Sequence, residues 1–233
     1  MGPPLSFPAE EDRICVKEKF MIVNERVTDF INSMNQEEED WLFGLEEKAR
    51  KEEVPIIRRE TKELLKTMLR TVRPKNVLEV GTAVGYSALY MKQYLESDAR
   101  ITTIENYPPR IEEASKNFEK WDKNRCITLL PGDAAEILKS LTGPYDFIFM
   151  DAAKGQYIHF LPEISRLLSK GGLLISDNVL QDGDIIESRY AIKRRNHTIH
   201  NRMREYLYVL KHSEEFTTSI IPIGDGVALS VKE

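Results

Sequence analysis

Between residues 76 and 176 the chain alternates short apolar runs with stretches of helical spacing, and this alternation narrows its possible folds more than any other feature. Asn76–Val80, Arg100–Glu105, Cys126–Pro131, Phe147–Met150 and Leu173–Ser176 read as strands. Tyr86–Leu95, Pro109–Trp121, Ala134–Ser140 and Tyr157–Leu168 read as the helices between them. Strand and helix repeating at this pitch predict a mostly parallel, α/β, Rossmann-like sheet with right-handed crossovers and helices on both faces. After a further helix near Asn196–Lys211, Phe216–Pro222 and Val227–Val231 flank Gly224-Asp225-Gly226. That is a hairpin signal, so the sheet is expected to end in antiparallel strands.

Upstream, Ile22, Val23, Val27, Phe30, Ile31 and Met34 recur at helical spacing, and further helices are expected over Glu37–Lys51 and Arg59–Thr71. Together they make a helical cover over about 22–71. Val54-Pro55-Ile56-Ile57 between them reads as loop, since proline suits no inner strand. A chain of 233 residues suits one large domain, expected over 21–233. Residues 1–20 carry three prolines in their first eight positions and are expected to form a poorly ordered extension. No apolar run approaches the ~18 residues of a membrane span, and no signal-peptide pattern opens the chain. Cys15 and Cys126 lie far apart without metal-type spacing, as expected of reduced thiols in a cytoplasmic protein.

Open parallel sheets bind ligands beyond the C-terminal ends of their strands, so the residues just after each strand matter most. The first strand runs into Glu79-Val80-Gly81-Thr82-Ala83-Val84-Gly85-Tyr86-Ser87, a glycine turn able to approach a ligand closely. It is neither the Gly-x-Gly-x-x-Gly turn of dinucleotide folds nor a phosphate-binding P-loop. Glu105 ends the second strand, placed to accept from ribose hydroxyls or, equally, to be a surface acid. Asp133-Ala134 follow the third, where the acid can meet an adenine amino group, cap the next helix, or do both. Asp151-Ala152-Ala153-Lys154 follow the fourth and Asp177-Asn178 the fifth. Two carboxylates and a carboxamide suit a hard divalent cation such as Mg2+, and a lysine beside a cation is a candidate base. Singly, these could be a helix cap, a turn and a solvated charge.

Taken together, these motifs resemble the class I S-adenosylmethionine-dependent O-methyltransferases, in particular the metal-dependent group that includes the catechol and caffeoyl-CoA enzymes. The resemblance runs from about Val54 to Val231. It implies a seven-stranded sheet with an antiparallel last strand. It also implies S-adenosylmethionine held by Ile57, Glu79, Gly81, Ser87, Glu105, Asp133, Ala134 and Asp151, and Mg2+ held by Asp151, Asp177 and Asn178. Lys154 would be the base, and a homodimer would be usual. An acceptor that chelates the metal needs two adjacent oxygens, which a catechol has and which 5-hydroxyuridine in RNA also has.

Residues 189–204 hold six cations (Arg189, Lys193, Arg194, Arg195, Arg202 and Arg204), two histidines and no acid, in a chain of net charge −5. Such a local patch is an electrostatic footprint for phosphates, or else a solvated helix face. It follows the Asp177-Asn178 turn and is expected to flank the pocket mouth. The Val-Pro-Ile segment, the glycine turn, Asn201–Arg204 and Ile221–Gly226 further resemble the bacterial tRNA 5-hydroxyuridine methyltransferases. That makes tRNA the expected acceptor, with methylation at the wobble position, and a small catechol-type phenol the alternative.

Overall fold

The computed structural model describes residues 22–188 and 190–233. The expectations for residues 1–20, Cys15 and Arg189 therefore lie outside the described residues. Seven strands form one sheet in the order β3-β2-β1-β4-β5-β7-β6. They are β1 (Asn76–Val80), β2 (Arg100–Glu105), β3 (Ile127–Pro131), β4 (Tyr145–Met150), β5 (Leu168–Ser176), β6 (Phe216–Ile221) and β7 (Val227–Lys232). The first five pair in parallel, while β7 runs antiparallel to both β5 and β6. The expected hairpin is present, but its second strand inserts between β5 and β6 instead of adding at the rim.

The helices sort by the alternating side chains of the strands. Val77, Phe147 and Ile175 face a layer built on α2 (Asp40–Lys51), α3 (Arg59–Val72), α4 (Tyr86–Lys92) and α5 (Pro108–Trp121), through Leu42, Leu65, Leu89 and Phe118. Leu78, Ile148 and Leu174, each next in sequence to one of these, face α6 (Ala134–Ser140), α7 (Tyr157–Leu167) and α8 (His197–His212), through Leu138, Ile164 and Met203. A strand covered on both faces has no polar side to show, which is why β4 is almost wholly apolar. Local signals fix the boundaries: Pro108 opens α5, and Asp133 caps α6 by accepting from Ala135 N at 2.8 Å. β5 begins five residues before the apolar run that announced it, because Leu168 pairs with Tyr145 ahead of a register shift. Gly171-Gly172 inside that stretch hide the strand from any apolar pattern.

The helices of the cover differ in how they are held. The first helix, α1 (Glu25–Ser33), has the predicted apolar stripe but buries no residue. Val27, Phe30, Ile31 and Met34 face outward, as does Phe43 on α2. α2, by contrast, is anchored. Trp41 stacks on Trp121 with ring centres 4.6 Å apart, and Glu46 sits buried in a cationic nest. Lys62 Nζ and Tyr86 Oη donate to Glu46 Oε2 at 2.9 and 2.8 Å, while Arg50 and Arg59 reach Oε1 at 2.9 and 3.1 Å. Glu38 also pairs with Lys62. Burial alone would push the Glu46 carboxyl up, but Lys62, Tyr86 and Arg50 together hold it down at about 2.

An acid whose pKa falls on folding stabilises the fold above its unfolded value of 4.5 and loses that contribution as pH falls toward 2. Glu46→Gln should therefore flatten the acid limb of the stability curve by up to about 3 kcal/mol between those values. Denaturant melts across pH 2 to 5, as rough limits, measure this, and an unchanged limb would rule out the network as the cover's anchor.

Candidate active site

The register of the sheet assembles the site. Ile104, Val80, Met150 and Ser176 lie level across β2, β1, β4 and β5, so Glu105, Gly81, Asp151 and Asp177 emerge together at the C-terminal edge. The ladder continues one step past the strands. Gly81 N donates to Ile104 O, Asp151 N to Val80 O and Asp177 N to Met150 O, each at 3.0 Å. Here β1 and β4 are neighbours although the chain visits β2 and β3 between them, which is the switch point where such sheets hold ligands. A cleft of about 960 Å³ opens over that point.

Gly81 makes the close approach possible. Its φ is +96°, and a Cβ there would lie 2.2 Å from the Asp151 carbonyl oxygen, so any side chain would force the two strand ends apart. Behind the turn Glu79 is fully buried, accepting from Thr82 Oγ1 at 2.7 Å and from Thr103 Oγ1. Its other oxygen, Oε1, is buried with no hydrogen-bond partner of ordinary geometry. Burial pushes this carboxyl up to about 7, against the Ser87, Thr103 and Thr82 hydroxyls, which favour the charged form. On the second strand, Glu105 Oε2 accepts from Ala83 N, and its Oε1 accepts from Asn106 N and Tyr107 N, all at 2.9 Å. That grip ties the glycine turn to β2. Ile57, Gly81, Ser87, Glu105, Asp133 and Ala134 all line the cleft, whereas Glu79 lies behind its wall.

Asp151, Lys154 and Asn178 share the same cleft, with Asp177 fully buried behind them. Lys154 Nζ donates to Asn178 Oδ1 at 3.0 Å, which joins the two loops expected to react. Asn178 takes the left-handed conformation (φ +56°), which Asn tolerates better than most residues. Burial pushes the Asp151 carboxyl up, with Lys154 opposing. Burial and the Asp151 charge do the same to Asp177. Asp177 Oδ1 accepts from Asn178 N at 2.8 Å, but Oδ2 is buried without a partner. Three oxygen-bearing side chains, one with an orphaned buried oxygen and two held against their own ionisation, fit a hard cation that would relieve both costs.

Tyr157 was not legible as a site residue. Its fully buried hydroxyl lies 3.0 Å from Met150 O and 3.1 Å from Asp177 O, and accepts from Ala152 N at 3.3 Å, strapping the ends of β4 and β5 together. Tyr157 looked like the first core residue of a helix, and only its depth reveals the second role. Arg58 and Asp225, from opposite ends of the chain, also line the cleft unforeseen.

The basic stretch divides in two, and none of its described residues is among those lining the cleft. Arg202 donates to Gly155 O at 3.1 Å and Arg204 to Ile185 O at 3.0 Å, so α8 spends these cations on neighbouring loops. Lys193, Arg194 and Arg195 are exposed and form no ion pair among the described residues.

Glu79 also gives the site a pH signature. A carboxyl whose pKa rises on folding binds more protons folded than unfolded, so it costs stability as pH climbs from 4.5 to about 7. Glu79→Gln should raise the ligand-free melting temperature at pH 8 and leave it nearly unchanged at pH 4, a difference of up to about 3 kcal/mol. Equal shifts at both pH values would show that Glu79 is not held partly protonated.

The O-methyltransferase family model matches residues 32–233. A catechol O-methyltransferase of Niastella koreensis is 33% identical over 127 residues, covering 53% of this chain and 58% of its own length. A caffeoyl-CoA O-methyltransferase of Stellaria longipes is 27% identical, covering 71% of each chain. Among solved structures, a caffeoyl-CoA O-methyltransferase candidate from Staphylococcus aureus superposes with a TM-score of 0.79 at 32% identity, over 89% of this chain and 98% of its own. The S-adenosylhomocysteine-bound methyltransferase PaMTH1 of Podospora anserina shares the fold over the whole of both chains, with a TM-score of 0.81 at 24% identity. With the motif-bearing strand ends all inside the matched span, this chain belongs to the O-methyltransferase family.

Proposed function

We propose that the protein transfers a methyl group from S-adenosylmethionine to an acidic hydroxyl flanked by a second oxygen, with 5-hydroxyuridine at the tRNA wobble position as the acceptor. The observation that carries the transfer is the single cleft in which the Gly81 turn, Asp151 and the Lys154–Asn178 pair meet. When bound, the cofactor supplies a methyl group on a sulfonium, whose C–S electrons return to sulfur as the acceptor oxygen forms the new bond. A divalent cation such as Mg2+, held by Asp151, Asp177 and Asn178, would supply the charge that acidifies the acceptor hydroxyl and fixes its neighbouring oxygen.

The chain's own groups do the rest. The Gly81 turn brings main chain against the cofactor's amino-acid end, and Glu79 behind it offers its unpartnered oxygen. Glu105, oriented by three main-chain N–H groups, presents its remaining lone pairs to the ribose. Asp133 caps α6 through Oδ1 and faces the adenine site through the same carboxylate. Ile57, fully packed, closes the pocket and excludes water. Lys154 Nζ receives the proton of the acceptor hydroxyl.

The exposed cluster Lys193–Arg195 supports an RNA acceptor, as a cationic surface within reach of phosphates. A catechol acceptor is favoured by the Niastella relative, which acts on that class by name. Lys154→Ala should lower turnover by about a hundredfold or more, while affinity for S-adenosylhomocysteine stays within about twofold. A strain lacking the gene should accumulate 5-hydroxyuridine in its tRNA by nucleoside mass spectrometry. Unchanged nucleosides, together with catechol turnover indifferent to alanines at residues 193–195, would assign the small phenol instead.

The uncovered stripe Val27, Phe30, Ile31 and Met34 supports a homodimer in which a second copy covers α1. Sedimentation equilibrium should return twice the chain mass. Phe30→Asp should lower it to one.

A further inference from the structure

Arg58 and Asp225 face each other across one end of the cleft, with Arg58 Nη2 3.1 Å from Asp225 Oδ1. Arg58 closes the strap that joins α2 to α3, and Asp225 sits at the tip of the hairpin turn between β6 and β7. We infer that this ion pair is the latch that holds the Val54–Arg58 strap shut over the bound cofactor, making Arg58 and Asp225 positioning residues for methyl transfer.

The strap is tied by main chain at its two ends, where Val54 N donates to Ala49 O and Lys62 N to Arg58 O, both at 2.9 Å, but not between them. It has no secondary structure, and among the described residues Pro55, Ile56 and Ile57 make no main-chain hydrogen bond to another element. Val54 and Ile57 are buried by apolar packing, which resists removal but does not fix direction. The ion pair supplies direction, and it is half sheltered: the Arg58 side chain is 44% exposed, that of Asp225 only 12%. The turn is also seated against the strap. Gly224 has φ +55°, and a Cβ there would lie 2.7 Å from Thr61 Oγ1 and within 3.6 Å of Arg58 Cβ.

The latch reaches the reacting half as well. Leu180 N donates to Asp225 O and Val179 N to Gly226 O, both at 2.9 Å, so the same turn holds the residues directly after Asn178. A shut strap and a correctly placed Asn178 are thereby parts of one assembly. The strap touches the cofactor side, the turn touches the acceptor side, and the Arg58–Asp225 pair connects them.

The inference rests on the cofactor reading of the cleft, and calorimetric titration with S-adenosylhomocysteine separates the two. Heat with the wild type tests the cleft, and the variants test the latch. Arg58→Met and Asp225→Asn should each weaken binding by about fivefold, the scale of a partly sheltered ion pair. The reversed pair, Arg58→Asp with Asp225→Arg, should recover to within about twofold of the wild type. Because Arg58 is half-exposed, its methionine variant keeps the fold, and a melting scan confirms it. Single variants binding within about 1.5-fold of the wild type, or a reversed pair as weak as the singles, would overturn the latch. No heat with the wild type would overturn the cofactor reading itself.

Discussion

Everything at this site depends on the hydrogen-bonded register between β1 and β4. Parallel strands carry their side chains in fixed rows, so a register that sets Val80 beside Met150 also sets Gly81 beside Asp151. The same row extends to Glu105 on one side and Asp177 on the other. A shift of one residue would turn these side chains to the opposite face and bring bulk where Gly81 must touch main chain. The strands thus determine where the polar chemistry falls, although their apolar core side chains take no part in it.

The strands were legible because each carries an apolar run bounded by turn residues, and the residues after them were legible because such sheets bind at strand ends. Gly81, Glu105, Asp133, Asp151, Lys154 and Asn178 line the cleft over those strand ends, whereas Glu79 lies behind its wall. Arg58 and Asp225 were not legible, because 166 intervening positions separate an interaction that only the folded sheet creates. Tyr157 hid for another reason. A tyrosine opening an amphipathic helix looks like core, and its hydroxyl acquires meaning only when two strand ends arrive beneath it. The stripe on α1 was read for its period, which is correct, while period alone cannot say what covers it. The basic run looks like one patch in sequence, but Arg202 and Arg204 on α8 turn to neighbouring loops, while residues 193–195, ahead of that helix, stay exposed.

The buried acids fall into two kinds. Glu46 is surrounded by cations and hydroxyl, so its charge is favoured and it anchors the cover. Glu79 and Asp177 are buried and Asp151 half-buried, each desolvated beyond what its partners offset, so their charge is disfavoured, and Glu79 and Asp177 keep an oxygen with no hydrogen-bond partner of ordinary geometry. A fold selected for stability alone would not keep such groups. The first kind spends its electrostatics on architecture. The second holds it in reserve for a ligand, in the same few ångströms where strand ends meet.

β7 lies between β5 and β6, although it follows both in sequence. β1 to β4 complete their pairing without residues 227–232, whereas β5, which leads into Asp177 and Asn178, has β7 as its outer hydrogen-bonding neighbour. The two sides of the cleft therefore differ in their reach along the chain: the Gly81 and Glu105 side closes on neighbours within residues 76–150, while the Asp177–Asn178 side is held by a strand that arrives only beyond α8 and β6.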